Sequence, residues 1–362
     1  MTQHIVFLHA DLDYSGHTHR TLSTARTCRE AGAKVTLVGG RGSRSAPAEA
    51  LGLELSPLDL HPGPLGAPFL RRRLVERLIE LKPDLLHVTD LALARLAAQA
   101  ARRLGLPYIL HADGPVQERV EFDAGLLRAV IVPSESLDER LINAGRLPRE
   151  ALVHLPSSPA ELDPRALEDE DVTCAPFDHD GPPRIGCTGH FDEGFAGDWF
   201  LEAARILDRE GKRWTYLMLG EGPTEQALRR RVREANLTDR VTIGVPTTST
   251  SRRTLASLDI HVACRVDTGP GWLTAQTMRL GIPNVAVATG EAFHLIRDQE
   301  TGILVPPGDA RRLADELTML VDNPGRARAI GASGRASNLA GAPRAEFETK
   351  IRELHGLTVA SA

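Results

Sequence analysis

The carboxyl-terminal half contains three residues that could bind a ligand: two glycines that flank a proline, and a histidine after a predicted strand. Gly269 and Gly271 bracket Pro270 just before a helix predicted to begin at Leu273. Glycines at such a place let the backbone approach a ligand closely, because they carry no side chain. His190 lies in the loop after a predicted strand. Its imidazole can contact a phosphate group, or it can be an ordinary surface or packed histidine.

The amino-terminal half offers two more candidates. Asp113 lies in the run His111–Pro115 (HADGP). It can act as a general base on a hydroxyl group, or it can cap the following segment and bind a turn amide. His17 follows Gly16 in a predicted turn, where it can neutralise an anionic ligand or simply begin a helix. The carboxylates of Asp11–Asp13 are a single weak match to a metal-binding pattern, so no metal site is predicted.

These residues must be positioned by regular structure, and the first half of the chain alternates between short apolar runs and helical segments. The predicted strands are His4–His9, Lys34–Val38, Asp84–Val88, Tyr108–His111 and Ala129–Pro133, and the predicted helices are Thr18–Ala31, Leu74–Leu81, Leu91–Leu104 and Ser136–Ala144. Gly32 follows the first helix, where a left-handed cap is expected. Because strands alternate with helices, the pattern predicts crossover units in a parallel sheet.

The alternation stops at residues 156–183, which are rich in acidic residues and prolines, and it resumes afterwards. The later predicted strands are Arg184–Cys187, Thr215–Leu219, Val241–Ile243, Ile260–Ala263 and Asn284–Val287, and the later predicted helices are Asp198–Glu210, Glu225–Ala235, Thr254–Leu258, Leu273–Leu280 and Arg311–Val321. The sequence therefore predicts an α/β protein with two doubly wound, Rossmann-like domains.

The domain boundaries follow from this alternation. We place an amino-terminal Rossmann-like domain at residues 1–155, an acidic, proline-rich linker at 156–183 and a second Rossmann-like domain at 184–335. Residues 336–362 are predicted to form a C-terminal helix that packs back on the amino-terminal domain, because Phe347, Ile351 and Leu354 lie on one helical face. Open parallel sheets bind ligands at the carboxyl ends of their strands, and a cleft between two such domains is the expected ligand site.

The composition is that of an ordinary globular protein and excludes several classes of function. The chain has 362 residues, of which 42% are hydrophobic, and a formal net charge of -5. That charge argues against electrostatic binding of nucleic acid. The cysteines are widely separated, so neither a zinc site nor a disulfide framework is expected. The sequence shows no secretion signal and no run long enough to span a membrane, so we expect a cytoplasmic protein.

Four segments of the second half stand out, namely Thr188–Phe191 (TGHF), Leu217–Pro223 (LMLGEGP), Asp259–Val287 and Glu300–Asp309 (ETGILVPPGD). In sequence, order and spacing they are similar to the carboxyl domain of the family-4 (group 1) glycosyltransferases, enzymes of the GT-B fold. The first half resembles the family's amino domain more loosely, through the turn at Gly16 and the HADGP run. The resemblance covers nearly the whole chain, and it implies two Rossmann-like domains that face each other across a cleft.

In that family, cations and peptide groups of the carboxyl domain meet the nucleotide diphosphate that leaves when the sugar is transferred. An Arg follows the first strand of that domain and a Lys lies a few residues on. The resemblance places His190 at the Arg, and it places Glu193–Gly197, which has no cation, at the Lys. A His of the amino domain contacts the sugar, and the resemblance places Asp113 there, with His111 two residues away. Asp113 and His190 are therefore the candidate catalytic residues.

Two Glu residues of the family, which hold the donor sugar and the nucleotide ribose, are replaced in this chain. The resemblance places Thr268, whose side chain is too short to replace a carboxylate, at the first position, although a shift of one residue would bring Asp267 there. It places Gln276 at the second position, where the amide can still hydrogen-bond a ribose hydroxyl. The candidate ligand-binding residues are Gly16, His17, Thr268, Gly269, Gly271 and Gln276, and His17 can contact either an acceptor or a phosphate.

The resemblance implies an enzyme that transfers a hexose from a nucleotide sugar to a sugar or lipid-linked acceptor with retention, and it implies no cofactor and no metal ion. The replaced side chains leave a second function open, a catalytically inactive pseudo-glycosyltransferase that acts as partner or scaffold for an active transferase. The arginine-rich run Phe69–Val75 is either a solvated helix face or a surface for peripheral contact with the inner face of the membrane. Nucleic acid is not an expected partner.

Overall fold

The chain divides into two compact units, each built around one parallel β-sheet. The first unit comprises Met1–Asp13, His17–Leu162 and Ala342–Ala362, and the second comprises Tyr14–Gly16 and Asp163–Gly341. The computed structural model describes residues 2–13, 16–61, 67–112, 121–132, 138–145, 147–155, 174–245, 251–266, 271–289, 292–339 and 344–357.

Strands of the first unit form a parallel sheet that is wound in both directions from its centre. Its strands are β1 (His4–Leu8), β2 (Lys34–Gly39), β3 (Glu54–Pro57), β4 (Leu85–Val88), β5 (Tyr108–His111), β6 (Leu127–Val132) and β7 (Leu152–His154). Their order, over the described residues, is β3-β2-β1-β4-β5-β6-β7. Every residue of β1 and of β4 is buried, because both faces of these central strands are covered. This burial explains why the two runs are almost continuously apolar.

Helices connect these strands and cover the sheet. The helices before the second unit are α1 (Gly16–Glu30), α2 (Ser45–Ala50), α3 (Ala67–Leu81), α4 (Ala94–Leu104) and α5 (Asp138–Gly145). Gly32 has a φ of 89°, and the N–H of Ala33 donates to the carbonyl oxygen of Cys28 at 3.1 Å. The predicted left-handed cap after the first helix is therefore confirmed, since glycine adopts this conformation without strain.

The second unit repeats the design with a smaller sheet. Its strands are β8 (Arg184–His190), β9 (Thr215–Glu221), β10 (Val241–Gly244), β11 (Ile260–Ala263), β12 (Asn284–Val287) and β13 (Ile303–Val305). Its helices are α6 (Gly197–Arg209), α7 (Glu225–Glu234), α8 (Ser251–Ala256), α9 (Gly271–Arg279), α10 (Ala292–Leu295), α11 (Ala310–Asp322) and α12 (Pro324–Leu339). Within the described ranges the strand order is β10-β9-β8-β11-β12-β13, and all pairings are parallel.

The last helix, α13 (Arg344–His355), packs on the first unit. Phe347 and Ile351 are buried in the same hydrophobic cluster as Ile5 and Phe7 of β1. At the carboxyl end of the helix, the carbonyl oxygen of His355 accepts a hydrogen bond from the amide of Gln3 at 3.1 Å. The helix therefore covers one face of the first sheet and closes its core.

Residues 174–183 fall at the end of the predicted linker and contact the second unit. The carboxylate of Asp259, which is 1% exposed, accepts hydrogen bonds from the backbone N–H groups of Phe177 at 2.6 Å and Arg184 at 2.7 Å. It also lies 2.9 Å from Nε2 of His179. These contacts attach the segment to the start of β11. The rest of the predicted linker, residues 156–173, lies outside the described residues.

Two predicted boundaries are corrected by the structure. β8 continues past its predicted end at Cys187 to His190, so His190 is a strand residue and not a loop residue. The added residues pair with the end of β9, with Gly189 opposite Gly220. α3 begins at Ala67 instead of Leu74, because its first turns continue the buried face of one amphipathic helix.

The outward face of α3 carries the arginine-rich run. Phe69 is 65% exposed, and the guanidinium of Arg73 lies 5.8 Å from the centre of its ring. Arg72 pairs with Glu76 at 2.8 Å, so acidic residues share this face and reduce its positive charge. This mixture is typical of a solvated helix face. None of the helices in the described part of the chain is long and apolar enough to cross a membrane.

Candidate functional site

The carboxyl edge of the second sheet brings together the ends of strands that are far apart in sequence. β8 ends at His190 and β9 ends at Glu221, and these two residues are paired in the parallel register. The N–H of Phe191 donates to the carbonyl oxygen of Glu221 at 2.8 Å. β11 lies on the other side of β8. Because open parallel sheets bind ligands at this edge, it is the candidate site of the second unit.

Glycines bring the backbone segments after β8 and β9 into direct contact. A Cβ on Gly220 would overlap the carbonyl oxygen of Gly189, and a Cβ on Gly222 would overlap the backbone of Phe191. The N–H of Thr224 donates to the carbonyl oxygen of Phe191 at 2.9 Å. The turn after β9 therefore lies directly on the turn after β8. This contact fixes the backbone beyond the end of β8. At positions 220 and 222 it leaves room only for glycine.

The loop after β8, residues 191–196, is also joined to the segment after β11. Its backbone hydrogen bonds run from the N–H of Ala196 to the carbonyl oxygen of Cys264 at 2.9 Å and from the N–H of Val266 to that of Gly194 at 3.1 Å. Phe195 and Arg265 form an antiparallel bridge between these bonds. Two segments that are distant in sequence are thus held together as a short ribbon at the edge of the sheet.

Arg265 extends from this ribbon over the end of β8. Its Nη1 lies 2.9 Å and 3.0 Å from the two carboxylate oxygens of Asp192, and it lies 3.4 Å from the carbonyl oxygen of His190. The side chain of Arg265 is 16% exposed and that of Asp192 is 34% exposed. Arg265 is not among the residues predicted for the site. The signal that could have found it is its place two residues after the end of β11, the strand beside β8.

A buried polar network lies among the strands beneath this edge. The amide Nδ2 of Asn284 donates to the carbonyl oxygen of Ile282 at 2.7 Å, so the oxygen Oδ1 faces Nδ1 of His261 at 2.6 Å. His261 therefore donates from Nδ1, and its Nε2 accepts from the hydroxyl of Thr188 at 2.8 Å. Burial lowers the pKa of His261 to about 4, although the hydrogen bond to Asn284 opposes this effect. The imidazole is therefore neutral near pH 7.

The helix α9 is attached to this network and begins at Gly271. The hydroxyl oxygen of Thr277 lies 2.7 Å from Oδ1 of Asn284. Gln276, the preceding residue, is 5% exposed. The amino end of a helix carries partial positive charge, which suits an anionic ligand. The other residues predicted for this part of the site, Asp267, Thr268 and Gly269, lie outside the described residues.

At the first sheet, Gly16 and His17, predicted in a turn, are instead the first residues of the helix α1. Tyr14 and Ser15, the rest of the predicted turn, lie outside the described residues. His17 is the second residue of the helix, and its Nε2 lies 3.4 Å from the hydroxyl oxygen of Thr89. This hydroxyl donates to the carbonyl oxygen of Leu8 at 2.9 Å, so it can accept a hydrogen bond from His17. The structure therefore places His17 beside the carboxyl ends of β1 and β4. Asp113, predicted at the same edge, lies outside the described residues.

His9 is a further imidazole at this edge that the sequence pattern does not single out. It is 2% exposed, and its burial, together with the nearby His17, lowers its pKa to about 3 against an opposing effect of Asp13. The hydroxyl of Thr18 donates to Oδ1 of Asp13 at 2.8 Å. The edge thus offers a neutral imidazole and a carboxylate, groups that can hydrogen-bond a polyhydroxylated ligand.

Metal ligation and thiol chemistry add no site in the part of the chain that the structure describes. No group of three or more His, Cys, Asp or Glu side chains is arranged there to hold a metal ion. The four cysteines are free, and burial raises the pKa of the Cys187 thiol well above its usual range. A buried thiol with a raised pKa is a poor nucleophile.

Two family models match the chain, one on each unit. The model described as Glycosyl transferases group 1 matches residues 182–323. The model described as Glycosyltransferase Family 4 matches residues 14–157. The two ranges together contain most strands of both sheets, including the carboxyl edges described above.

Curated relatives match shorter parts of the chain. The alpha-D-kanosaminyltransferase of Streptomyces kanamyceticus is 31% identical over 134 residues, which are 35% of this chain and 33% of the relative. The 2-deoxystreptamine glucosyltransferase of the same organism is 26% identical over 157 residues, which are 43% of this chain and 41% of the relative. The chain therefore spans less than half the length of these relatives.

Solved structures share the fold over nearly the whole chain. HepE of Anabaena, in complex with UDP and glucose, superimposes with a TM-score of 0.76 at 16% identity, covering 98% of this chain and 99% of that chain. Sucrose-phosphate synthase of Thermosynechococcus elongatus superimposes with a TM-score of 0.71 at 19% identity, covering 98% of each chain. These similarities show that all three chains share one fold.

Proposed function

The chain belongs to the group 1, family 4 glycosyltransferases and has the GT-B fold, and from that premise we propose that it transfers a hexose from a nucleotide sugar to an acceptor with retention of configuration. Two curated relatives are glycosyltransferases by name, which supports this class of reaction. The HepE structure contains UDP and glucose, so UDP is the first nucleotide to test.

One observation carries the proposal, the construction of the carboxyl edge of the second sheet. His190 ends β8, and the glycine-containing turns after β8 and β9 lie directly on each other. α9 begins at Gly271 and is attached beneath the same edge through Thr277. This edge therefore combines an imidazole, closely packed backbone and the amino end of a helix. Such groups can bind a nucleotide diphosphate.

The leaving group is the part of the substrate that most needs electrostatic stabilisation in this reaction. As the bond between the sugar and the diphosphate breaks, negative charge grows on the phosphate oxygens, and fixed N–H donors lower the barrier. We assign His190 and the first amides of α9 to the diphosphate, and the amide of Gln276 to a ribose hydroxyl. Thr268 and Gly269 complete the proposed donor contacts. No metal ion or other cofactor is part of the proposal.

The acceptor is proposed to bind the first unit. We assign Asp113 as the general base on the acceptor hydroxyl, and Gly16 and His17 as ligand contacts. The position of His17 at the carboxyl edge of the first sheet supports this assignment. The proposed acceptor is a sugar or a lipid-linked sugar. An amino-bearing ring belongs in the acceptor panel, because one relative is named for transfer to 2-deoxystreptamine.

The replaced side chains favour a second candidate function. With Thr268 and Gln276 at the positions of the two Glu residues, the chain lacks carboxylates that the family uses to hold donor sugar and ribose. A pseudo-glycosyltransferase that binds the nucleotide sugar and acts as partner of an active transferase is consistent with this loss. The two functions differ in turnover and agree in binding.

Calorimetry of the full chain against UDP, GDP and a panel of their sugar conjugates tests donor binding, and we expect UDP or one other nucleoside diphosphate to bind. Product analysis with an acceptor panel then tests transfer. His190→Ala is expected to lower turnover roughly 100-fold, whereas His154→Ala, on the edge strand β7, is the matched control and should be neutral. Absence of any nucleotide binding contradicts both functions. Donor binding without product for any acceptor favours the pseudo-glycosyltransferase.

A further inference from the structure

We propose that Arg265 is the side-chain cation that meets the leaving diphosphate of the donor. The inference rests on the proposed function and adds to it a residue that lies outside the loop where the family carries its Arg and Lys. The loop after β8 contains Asp192 and Glu193 and no Arg or Lys. By its own charges this loop repels a diphosphate, so a cation must reach the end of β8 from another element.

Arg265 reaches that place from the neighbouring strand. β11 pairs with β8, so the carboxyl ends of both strands lie at one edge of the sheet. The Nη1 atom of Arg265 lies 3.4 Å from the carbonyl oxygen of His190, the last residue of β8. Arg265 therefore places a positive charge at the end of β8. The residue that it contacts there is His190, whose imidazole is proposed to bind the diphosphate.

The backbone holds Arg265 in position before any ligand arrives. Phe195 and Arg265 form an antiparallel bridge, and a backbone hydrogen bond flanks it on each side. A donor that is already fixed in place costs little reorganisation when charge develops in the transition state. This arrangement differs from an arginine on a flexible loop, which would lose conformational freedom on binding.

Several arginines of the second unit form ion pairs in the described part of the chain. The side chain of Arg265 is less exposed than those of Arg205, Arg229 and others among them. Its side chain is 16% exposed, against 28% for Arg205 and 46% for Arg229, and further members of this group exceed 50%. Arg205 and Arg229 pair with neighbours on their own helices, whereas Arg265 joins two strand ends. A partly dehydrated charge attracts an anion more strongly than a fully hydrated one does.

Asp192 keeps the guanidinium in place by contacting Nη1 with both carboxylate oxygens, at 2.9 Å and 3.0 Å. In the transfer step, the bond from the sugar carbon to the diphosphate oxygen breaks and its electron pair stays on that oxygen. The acceptor oxygen bonds to the carbon, and the hydroxyl proton passes to the general base proposed for the acceptor. Arg265 donates hydrogen bonds to the departing diphosphate, and Asp192 orients the guanidinium as a positioning residue. Neither side chain gains or loses a proton.

The test compares the full chain with Arg265→Gln, Arg265→Lys and the control Arg213→Gln, whose side chain is 66% exposed before the start of β9. Affinities for UDP and inorganic pyrophosphate are measured by calorimetry, and the affinity for uridine is measured by ligand-observed NMR. Arg265→Gln is expected to weaken UDP and pyrophosphate binding at least tenfold and to leave uridine binding within twofold. Arg265→Lys keeps the charge but loses the planar fork, so we expect intermediate affinity. Arg213→Gln should bind all three probes as the unaltered chain does.

The negative results of this test distinguish a wrong role for Arg265 from a wrong proposed function. If the unaltered chain binds UDP and Arg265→Gln binds it equally well, the role of Arg265 is overturned and the proposed function stands. If Arg265→Gln loses uridine together with UDP, the residue maintains the fold of the edge, and the inference is overturned in that case too. If the unaltered chain binds no nucleoside diphosphate and no pyrophosphate, the proposed function fails and Arg265 has no diphosphate to meet.

Discussion

The imidazole rings of His87 and His355 lie edge to edge and nearly coplanar in the first unit, with ring centres 5.0 Å apart and planes 4° from parallel, although 268 residues separate them in sequence. Nδ1 of His355 lies 2.7 Å from the carbonyl oxygen of Ile351, so this nitrogen carries the hydrogen. Its Nε2 therefore accepts from Nδ1 of His87 at 2.8 Å. Phe7 stacks on a face of His87, with ring centres 4.6 Å apart. The buried pair is stable only while both rings are neutral.

The buried histidine pair predicts a loss of stability in mild acid. Burial lowers the pKa of His355 to about 4 and that of His87 well below its ordinary value of 6.5. Between pH 6.5 and about 4 the unfolded chain takes up protons that the folded chain does not, so the free energy of unfolding falls as the pH falls. Each ring contributes at most about 1.4 kcal/mol per pH unit in this window. Above pH 6.5 the contribution is constant.

Urea unfolding at a series of pH values checks this prediction. The double variant His87→Gln/His355→Gln removes both titrating groups and keeps side chains that can hydrogen-bond each other, and its stability should change less between pH 7 and pH 5 than that of the unaltered chain. His61→Asn serves as the control, because the side chain of His61 is 61% exposed and its ion-pair partners Asp11 and Asp59 are exposed as well. Equal pH dependence in all three chains would contradict the prediction.

Ile351→Ala is expected to destabilise the first unit selectively. The side chain is 0% exposed and packs in the core that contains β1, so its truncation leaves a cavity costing about 2–5 kcal/mol. The tryptophans, Trp199, Trp214 and Trp272, all belong to the second unit. Thermal unfolding followed by circular dichroism should therefore show an early transition, while tryptophan fluorescence changes at its usual temperature. Lys350→Ala, at an exposed neighbouring position, is the control and should leave both signals unchanged.

Thr188→Val should lower the stability of the second unit by about 1–3 kcal/mol, because it leaves Nε2 of His261 buried without its donor. Thr188→Ser keeps the hydroxyl and should retain most of the stability. Tryptophan fluorescence during urea unfolding measures the effect. Equal stability of the valine and serine variants would show that the hydroxyl of Thr188 is unimportant to the buried network.

Asp192→Asn is expected to tighten pyrophosphate binding about threefold to tenfold, because it removes a negative charge beside Arg265 while keeping a side chain of the same shape. Calorimetry with inorganic pyrophosphate at low salt measures the change, and the effect should shrink as salt is added. Asp322→Asn, in an exposed ion pair with Lys212, is the control for a general change of net charge. Weaker pyrophosphate binding by Asp192→Asn, with unchanged binding by Asp322→Asn, would contradict this prediction. It would mean that the carboxylate is needed to keep Arg265 in position.

The inner strands of both sheets and most helices could be predicted from the sequence, because burial on two faces imposes continuous apolar runs. The edge strands β3, β7 and β13 were not predicted. The strands at Tyr108–His111, Ile260–Ala263 and Asn284–Val287 are observed with the predicted bounds. α12, by contrast, is absent from the prediction. Its contact face is made of small residues, and a Cβ on Gly331 would overlap the carbonyl oxygen of Gly281. Apolar periodicity does not detect a helix that packs through glycine.

Only part of the site could be predicted from the sequence, and the reason is topological. His190 was identified because it follows an apolar run and aligns with a family position. Arg265 was not, since its proximity to His190 depends on β11 lying beside β8, a neighbour relation that no local pattern contains. His9 was missed for a related reason: its place at the end of β1 matters only once His17 and Asp13 are folded against it.

The position of α13 has a consequence for biosynthesis. β1 starts at His4, α13 stops at His355, and both belong to the first unit, with the whole second unit encoded between them. During translation the first-made sheet leaves the ribosome with one side of its core still open, and Phe347 and Ile351 arrive only after the second unit has been made. The half of the protein that is synthesised first is therefore the last to be completed, and a nascent chain paused before residue 344 would present an uncovered apolar surface to chaperones.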